Sequence, residues 1–460
     1  MRRSMKLSLF LVVSVFLASC ADQPTQPPAF AAPAAPAMSA SDNRSTAALV
    51  RQLAASRGIT ALPHRPRVRE SLVRLGQALA FDKVLSGNRD ISCMTCHLPT
   101  LATGDGRSLS IGQGATGVGG ERRHPQGIFI PRNAPPLFNL GAMRHLFWDG
   151  RIQRDASGRV VTPADADVTP AMQRTFEFGS VSAIGMFPVT NRAEMRADGG
   201  NELAAIPDDQ NPRIWAALMR RLGAIPEYRE MFEDAYPGER FSRMTFAHAS
   251  NAIAGFLLDE LSFDGSPWDR FLDGRDNALN REQLQGAQTF LSLKCSICHN
   301  GPTFSDEQFH NVAVAQFGPG KGNGPSGRDD FGRMNVTGLA ADQYLFRTTP
   351  LRNVELTGPY GHDGALSSLR SFVEHYSESD RKLRAYDPSQ LEPLLRGTLL
   401  PNADAILATR DTLLNGVVLT DELVGQLMAY MSALTDPAAR DLRRIPPRHV
   451  PSRLPVDGAR

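Results

Sequence analysis

Two stretches of the sequence, Cys93-Met94-Thr95-Cys96-His97 and Cys295-Ser296-Ile297-Cys298-His299, decide what kind of fold this chain can adopt. Both follow the pattern Cys-x-x-Cys-His, which is typical of covalent c-type haem attachment. In that chemistry the two thiols form thioethers with the haem, and the adjacent histidine supplies a nitrogen ligand to the iron. The sequence therefore predicts two haem c groups, with His97 and His299 as iron ligands.

Other uses of paired cysteines fit these motifs less well. Four cysteines in two pairs could bind zinc, and one pair could be a redox-active dithiol. Neither alternative explains why a histidine follows each pair directly. The fifth cysteine, Cys20, lies near the amino terminus, where it is expected to carry a lipid anchor. No free thiol is therefore expected.

The first twenty residues have the features of an export signal. Three basic residues among the first six precede a short apolar run, Leu7–Leu17. That run is too short to span a bilayer, which needs about 20 apolar residues. It ends in Leu17-Ala18-Ser19-Cys20, which resembles the lipobox of bacterial lipoproteins. We expect a signal peptide over 1–19, a lipid anchor at Cys20 and a periplasmic location; an ordinary cleaved signal is the alternative.

One proline-rich segment follows the predicted signal peptide, and another lies at the carboxyl end of the sequence. Residues 20–60 are expected to form a Pro/Ala-rich tether, because such a composition cannot pack a core. Residues 437–460 contain five Pro and six Arg, which predicts an irregular, exposed tail. Docking of this tail on an acidic partner is the alternative to a solvated tail.

Between these ends the hydrophobic pattern is mostly helical. Asn280 and Gln283 form a helix-start signal, and apolar residues then recur at helical spacing. Similar patterns cover 67–81, 212–235, 245–261 and 423–434. Gly and Pro mark long loops at 99–141 and 301–335, and no sustained alternation predicts a large sheet. The Gly-rich stretch 317–332 lacks a phosphate-binding pattern and is predicted to be only a loop.

These patterns predict an all-α protein with two cytochrome c-like domains, at 61–275 and 276–436, each carrying one haem. A chain of 460 residues suits two or three domains at about 150 residues each. Its 50 Lys and Arg against 48 Asp and Glu leave a net charge of +2. That balance argues against a dedicated nucleic-acid binder, which would carry a basic stripe.

The chain resembles the bacterial di-haem cytochrome c peroxidase and MauG family from about residue 65 to 435. The order and spacing of the shared segments make the resemblance specific. These segments are Ile91–His97, Arg132-Asn133-Ala134-Pro135, Phe147-Trp148-Asp149-Gly150-Arg151, Phe187–Met195, Cys295–His299, Leu351-Arg352-Asn353 and Pro359-Tyr360-Gly361-His362-Asp363-Gly364.

The resemblance implies roles for matching residues. The haem on Cys93, Cys96 and His97 would react with peroxide, and Trp148 would relay electrons between the haems. Glu194 corresponds to the distal acid–base carboxylate, which must move a proton between the two peroxide oxygens. Pro188 corresponds to a proline that limits access to the iron. From the residues alone, both assignments have a simpler alternative. An isolated Trp such as Trp148 is more often a core residue, and Glu194 would be a solvated loop residue.

The family also binds a calcium ion between the haems. The matching positions are Asn133, through its side-chain oxygen, and the backbone carbonyls of Thr357 and Pro359, with waters completing the shell. Oxygen ligands of this kind suit a hard cation.

The peroxidatic site departs from the classical peroxidases at several positions. A histidine that blocks the iron until the other haem is reduced is replaced by Gln113, so the site is expected to be open. His124 lies in the same loop and is an alternative blocking ligand. The usual distal glutamine is replaced by Ile184, and the insertion 152–180 is longer than in the classical enzymes.

The second haem also departs from the classical pattern. Fourteen residues after His362, where the classical enzymes have a methionine ligand, the chain has Tyr376, as in MauG. A phenolate favours oxidised iron, whereas methionine raises the reduction potential. His375 or a methionine is the alternative ligand.

The sequence therefore predicts a di-haem c-type peroxidase that reduces hydrogen peroxide at the first haem. Electrons would come through the second haem from a cytochrome c-like donor or a partner protein. Gln113 and Tyr376 favour a second version, in which the enzyme oxidises aromatic residues of a protein substrate as MauG does. A third alternative, a di-haem electron-transfer cytochrome, requires both irons to be six-coordinate with protein ligands.

Overall fold

The computed structural model describes residues 40–459, with side chains from residue 45 onward. The predicted signal peptide (1–19), the predicted anchor Cys20 and the first part of the predicted tether lie outside the described residues. Helices dominate the described part, as the sequence predicts. In the first half they are α1 (Ala40–Ser56), α2 (Glu70–Phe81), α3 (Cys93–Cys96), α4 (Pro170–Thr175), α5 (Asn211–Gly223), α6 (Pro226–Ala235), α7 (Phe246–Glu260) and α8 (Pro267–Leu272).

The second half is built from shorter helices and long connections. Its helices are α9 (Arg281–Ser292), α10 (Cys295–Cys298), α11 (Met334–Thr337), α12 (Leu369–His375), α13 (Ser379–Arg384), α14 (Pro393–Arg396), α15 (Ala403–Ala408) and α16 (Asp421–Ala433). The predicted start signal before α9 is confirmed, since Asn280 and Gln283 form a reciprocal capping box. The helical pattern over 212–235 forms two helices, α5 and α6, because Pro226 begins a new one.

The described residues contain no large sheet, as predicted. Strands β1 (His145–Leu146), β2 (Ile152–Arg154) and β3 (Val160–Val161) form one small antiparallel sheet. Strands β4 (Phe309–His310) and β5 (Phe346–Arg347) form a second antiparallel pair. These short strands lie in the long connections around the two haem motifs.

Each haem motif follows a helix that crosses a later helix at a glycine. In α2, a Cβ atom on Gly76 would lie 1.9 Å from the Ala252 carbonyl oxygen of α7. In α9, a Cβ atom on Gly286 would lie 2.0 Å from the Gln426 carbonyl oxygen of α16. Only glycine permits such close backbone contact. The two halves therefore repeat one arrangement, and each has its own hydrophobic core.

The predicted tether is wrong for residues 40–56, which form α1. Ala47, Val50 and Ala54 are buried in the core around α9 and α16, and Arg51 donates to the Phe271 carbonyl at 2.9 Å. Helix α8, which the expected boundary at 275 places in the first domain, also packs in this second core. Composition did not reveal this packing, because the apolar side of α1 consists largely of alanine.

The prediction of an exposed tail over 437–460 is also wrong. The segment is mostly irregular, but Leu442, Ile445 and Val450 are buried in the first core. The Asp457 carboxylate accepts hydrogen bonds from Lys83 and Thr95, both at 2.6 Å. The end of the chain therefore returns to the domain that carries the first haem motif.

Substitution Ile445→Ala tests whether the tail stabilises the fold. Ile445 is 1% exposed, so we expect a loss of about 2–5 kcal/mol in the free energy of unfolding. The control Leu339→Ala removes a side chain that is 60% exposed, and it should change stability by about 0.5 kcal/mol or less. Denaturant unfolding of the haem-loaded protein measures both. Equal midpoints for the two variants would mean that the tail contributes nothing.

Candidate haem sites

The two cysteine pairs lie in separate cavities. A cavity of about 240 Å³, here the first cavity, is lined by Cys93, Cys96 and His97. A second cavity of about 480 Å³ is lined by Cys295, Cys298 and His299. The four cysteines form no disulfide. A four-cysteine zinc site is excluded by this separation, since zinc needs all four sulfurs within one shell.

The thiols of Cys93, Cys96 and Cys295 do not have the character of redox or metal-binding thiolates. Burial raises the pKa of Cys93 and of Cys295 to about 11, and it also raises the pKa of Cys96. A reactive Cys-x-x-Cys pair needs a lowered thiol pKa. These cysteines are therefore neutral thiols, which suits thioether attachment.

Both motif histidines line their cavity and are held by a backbone carbonyl through Nδ1. The His97 Nδ1 donates to the Thr103 carbonyl at 3.0 Å, and the His299 Nδ1 donates to the Phe304 carbonyl at 3.0 Å. Burial lowers the pKa of both rings, so they are neutral. The remaining Nε2 lone pair is the atom that would bind iron. The histidines therefore fit the proximal ligand of haem c.

The first cavity has a surplus of positive charge. Arg132 makes ion pairs with Asp330 at 2.5 Å and with Asp149 at 2.6 Å. Arg151, Lys321 and Arg347 also line the cavity, and burial lowers the pKa of Lys321 and that of Arg347, the latter to about 10. Four cations against three carboxylates, the paired Asp149 and Asp330 and the Glu194 side chain, leave a positive charge that suits the carboxylates of a haem.

Two of these cations come from the half of the chain that carries the second motif. Lys321 belongs to the Gly-rich loop that the sequence predicts to be only a loop, and Arg347 lies in β5. The sequence did not identify either residue, because an isolated Lys or Arg forms no recognisable motif. The first cavity is therefore completed by residues of the second half.

Glu194 lines the first cavity on a single π-helical turn, Arg192–Arg196. The Asn191 side chain accepts a hydrogen bond from the Glu194 backbone N–H at 3.1 Å and so begins the turn. Pro188 and Ile184 line the same cavity. The structure thus brings the predicted carboxylate and proline together with His97.

Gln113 and His124 do not line the first cavity. The Gln113 side chain accepts a hydrogen bond from the Asn88 amide at 2.8 Å. The His124 Nδ1 accepts from the Gln126 backbone N–H at 3.1 Å. His97 is the one histidine among the described residues that line this cavity, so no second imidazole blocks it.

Trp148 lines both cavities. It is 8% exposed, and its Nε1 donates to the Asn133 carbonyl at 2.9 Å. Asn133 in turn donates its backbone N–H to the His362 carbonyl at 2.9 Å. One indole therefore forms part of the wall between the two cavities.

Tyr376 caps the end of α12 and lines the second cavity. Burial raises the pKa of its phenol, so the phenolate forms only beside a strong positive charge such as iron. His375 does not line the cavity, because its Nε2 donates to the Val312 carbonyl at 2.7 Å. Met431 lines the cavity, so a methionine remains the alternative ligand that the sequence left open. His362, which the sequence did not suggest as a ligand, also lines the cavity and is a further candidate.

The three residues that the resemblance assigns to calcium all line the second cavity: Asn133, Thr357 and Pro359. The Asn133 amide nitrogen donates to the Arg107 carbonyl at 2.9 Å, which leaves the side-chain oxygen as the atom for a cation.

His310 is a charged group at the second cavity that the sequence did not reveal. Burial opposes its charge, but hydrogen bonds with Asp306, Cys298 and Asp411 raise its pKa to about 11. The sequence did not reveal this charged histidine, because one of its partners, Asp411, lies 101 residues further along the chain.

Comparison with known proteins agrees with this geometry. Residues 70–277 match the family model of di-haem cytochrome c peroxidases. The methylamine utilization protein MauG of Methylorubrum extorquens is 29% identical over 67% of this chain and 69% of its own length. The cytochrome c551 peroxidase of Nitrosomonas europaea is 30% identical over 66% of this chain and 72% of its own length.

Solved structures show the same fold. A MauG-like protein associated with microbial copper homeostasis superimposes with a TM-score of 0.58 at 24% identity, over 84% of this chain and 96% of its own. The diheme peroxidase BthA from Burkholderia thailandensis superimposes with a TM-score of 0.55 at 21% identity, over 82% and 88%. This chain therefore belongs to the di-haem cytochrome c peroxidase and MauG family and is a haem-dependent peroxidase.

Proposed function

We propose that the chain binds one haem c on each motif and reduces hydrogen peroxide in the first cavity. Electrons are drawn through the second site from a cytochrome c-like donor or a partner protein. The observation that carries this proposal is that the first cavity combines His97 with the carboxylate of Glu194 and has no other histidine in its described lining.

In this mechanism the haem iron, when bound, supplies the electrons that cleave the peroxide O–O bond. Glu194 accepts the proton from one peroxide oxygen and delivers it to the departing oxygen, which leaves as water. Two electrons and two protons convert one hydrogen peroxide to two waters. His97 would hold the haem iron through Nε2, and Pro188 with Ile184 limits the space beside Glu194.

Trp148 is the proposed electron relay, because it lines both cavities. Lys321 and Arg347, which line the first cavity, would bind the haem carboxylates. We further propose calcium at Asn133, Thr357 and Pro359, where an ion would lie against the same wall as Trp148.

A second version, oxidation of aromatic residues on a protein substrate, is favoured by Tyr376 in the second cavity. A phenolate ligand stabilises oxidised iron, which suits an enzyme that stores oxidising equivalents for a slow protein substrate. A neighbouring gene for a modified protein would favour this version over peroxide removal.

Export and lipid anchoring at Cys20 belong to the proposal and are supported by the sequence features of 1–20 alone. Within residues 40–459, no helix has the length and apolar character needed to cross a bilayer.

Mixing the fully oxidised protein with one equivalent of hydrogen peroxide should change the Soret absorption rapidly in a stopped-flow instrument. Glu194→Gln should lower this rate about 10²- to 10⁴-fold, the usual contribution of a general acid–base. Glu121→Gln, at an exposed carboxylate outside the cavity, should not change it. A reaction that begins only after one haem is reduced would mean that the first site is blocked, and no reaction in either state would indicate an electron carrier.

Trp148→Phe should slow electron exchange between the sites about tenfold or more, equivalent to about 1.4 kcal/mol in the barrier. Phenylalanine fills part of the indole volume but is much harder to oxidise. Trp215→Phe is the matched control, because Trp215 is buried and donates its Nε1–H to the Met186 carbonyl at 2.9 Å but lines neither cavity. Freeze-quench spectroscopy resolves the two haems, and equal behaviour of both variants would contradict the relay.

Tyr376→Phe should change the absorption and electron paramagnetic resonance spectra of the second haem and raise its reduction potential, because an anionic ligand is lost. Tyr360→Phe is the control, since Tyr360 lines the same cavity but donates its hydroxyl to the Val354 carbonyl at 2.9 Å. Unchanged spectra in Tyr376→Phe would assign the ligand to Met431 or His362.

A further inference from the structure

Arg122 is a buried guanidinium that forms no ion pair with any carboxylate in the described part of the chain. Its side chain is almost fully enclosed, at 2% exposure. Burying a charge without an opposite charge is costly unless hydrogen bonds replace its water. The surroundings of Arg122 supply such hydrogen bonds from the backbone alone.

The three nitrogens of Arg122 all donate to one stretch of backbone, residues 111–117. Nε donates to the Ile111 carbonyl at 2.7 Å, Nη2 to the Gly112 carbonyl at 2.6 Å and Nη1 to the Gly117 carbonyl at 2.9 Å. The planar fork of an arginine can hold three separated carbonyls at once. We call residues 111–117 the pinned segment.

The pinned segment lies directly against the turn that carries Glu194. The Gln113 backbone N–H donates to the Glu194 carbonyl at 2.9 Å. A Cβ atom on Gly112 would lie 1.8 Å from the Ala193 carbonyl oxygen, so the two backbones touch. A displacement of the pinned segment therefore breaks or strains the backbone contacts at Ala193 and Glu194.

The turn is a single π-helical turn of five residues, and the Asn191 side chain accepts its first hydrogen bond, from the Glu194 backbone N–H. Other contacts hold its two ends: Arg192 and Arg196 both bind Asp208, at 2.7 and 2.6 Å, and the Met195 carbonyl accepts from the Gly87 N–H at 2.7 Å. The pinned segment contacts the middle of the turn, at Ala193 and Glu194. On the far side of the pinned segment, the Gly114 N–H donates to Asp90 at 2.6 Å. The segment is thus fixed between Asp90, Arg122 and the Glu194 turn.

We infer that Arg122 is a positioning residue for the peroxide reaction: it holds the pinned segment against the turn that presents Glu194 to the first cavity. The inference rests on the proposed function, because it assigns Arg122 an effect that acts through Glu194. A shift of about 1 Å in a reacting group can lower a rate about 10²-fold, so a firm support for this turn has a direct catalytic consequence.

Two substitutions separate hydrogen bonding from charge. Arg122→Met keeps a long apolar stem and removes all three donors. Arg122→Lys keeps the positive charge but cannot reach three separated carbonyls from one ammonium group. Arg123→Met is the matched control: Arg123 is the next residue, its guanidinium is exposed, and it donates only to the Gly120 and Arg122 carbonyls.

The measurement is the stopped-flow rate of the oxidised, haem-loaded protein with hydrogen peroxide. Arg122→Met and Arg122→Lys should each lower this rate about 10- to 10²-fold, while Arg123→Met keeps it. The double variant Glu194→Gln with Arg122→Met should be no slower than Glu194→Gln alone. Non-additivity of this kind is expected only when one residue acts through the other.

Each other result overturns the inference. Normal rates in both Arg122 variants would show that the pinned segment is not needed, and a normal rate in Arg122→Lys alone would assign the effect to charge. Multiplied losses in the double variant would mean a general structural effect. If Arg122→Met does not fold with its haems, the same cycle is run with Arg122→Lys. If the unsubstituted protein does not react with peroxide, the proposed function itself is wrong. In the other outcomes the unsubstituted protein reacts, so the two kinds of failure are distinguishable.

Discussion

The hydrogen bond from the Nδ1 of each motif histidine to a backbone carbonyl is the interaction on which both sites depend. A carbonyl only accepts, so His97 and His299 are each held in one tautomer with Nε2 unprotonated. Burial keeps both rings neutral by lowering their pKa. Each cavity therefore contains a preformed metal-binding nitrogen beside a pair of cysteines, and the other residues act around that arrangement.

The two haem sites are not independent units joined by a linker. Trp148 forms part of the wall of both cavities, and Lys321 and Arg347 bring positive charge from the second half into the first cavity. In the opposite direction, the end of the chain packs on the first core and binds Thr95 through Asp457. This exchange of segments holds the two sites in one arrangement, as the proposed electron transfer between them requires.

The first site of this chain differs from that of the classical peroxidases in the loop that contains Gln113. The side chain that replaces the blocking histidine, Gln113, is bonded to Asn88 outside the cavity, and its backbone supports the turn of Glu194. Arg122 holds the same segment from the other side. The loop in which the resemblance places a blocking histidine in the classical enzymes is thus bonded to the turn of Glu194 in this chain.

The sequence by itself determined the features that depend on neighbouring residues: both haem motifs, the main helices and the capped start of α9 follow from spacing within a few residues. The resemblance added Trp148, Glu194, Pro188 and Tyr376, and the structure brings each to a cavity. Only the tertiary structure decided which segments are buried and against which residues they pack. The alanine-rich α1 and the proline-rich tail pack in cores, because burial depends on partners that composition does not specify. Lys321 and His310 act on segments that are distant in the sequence, and Arg122 bonds locally to residues 111–117, which the fold alone brings against the turn of Glu194.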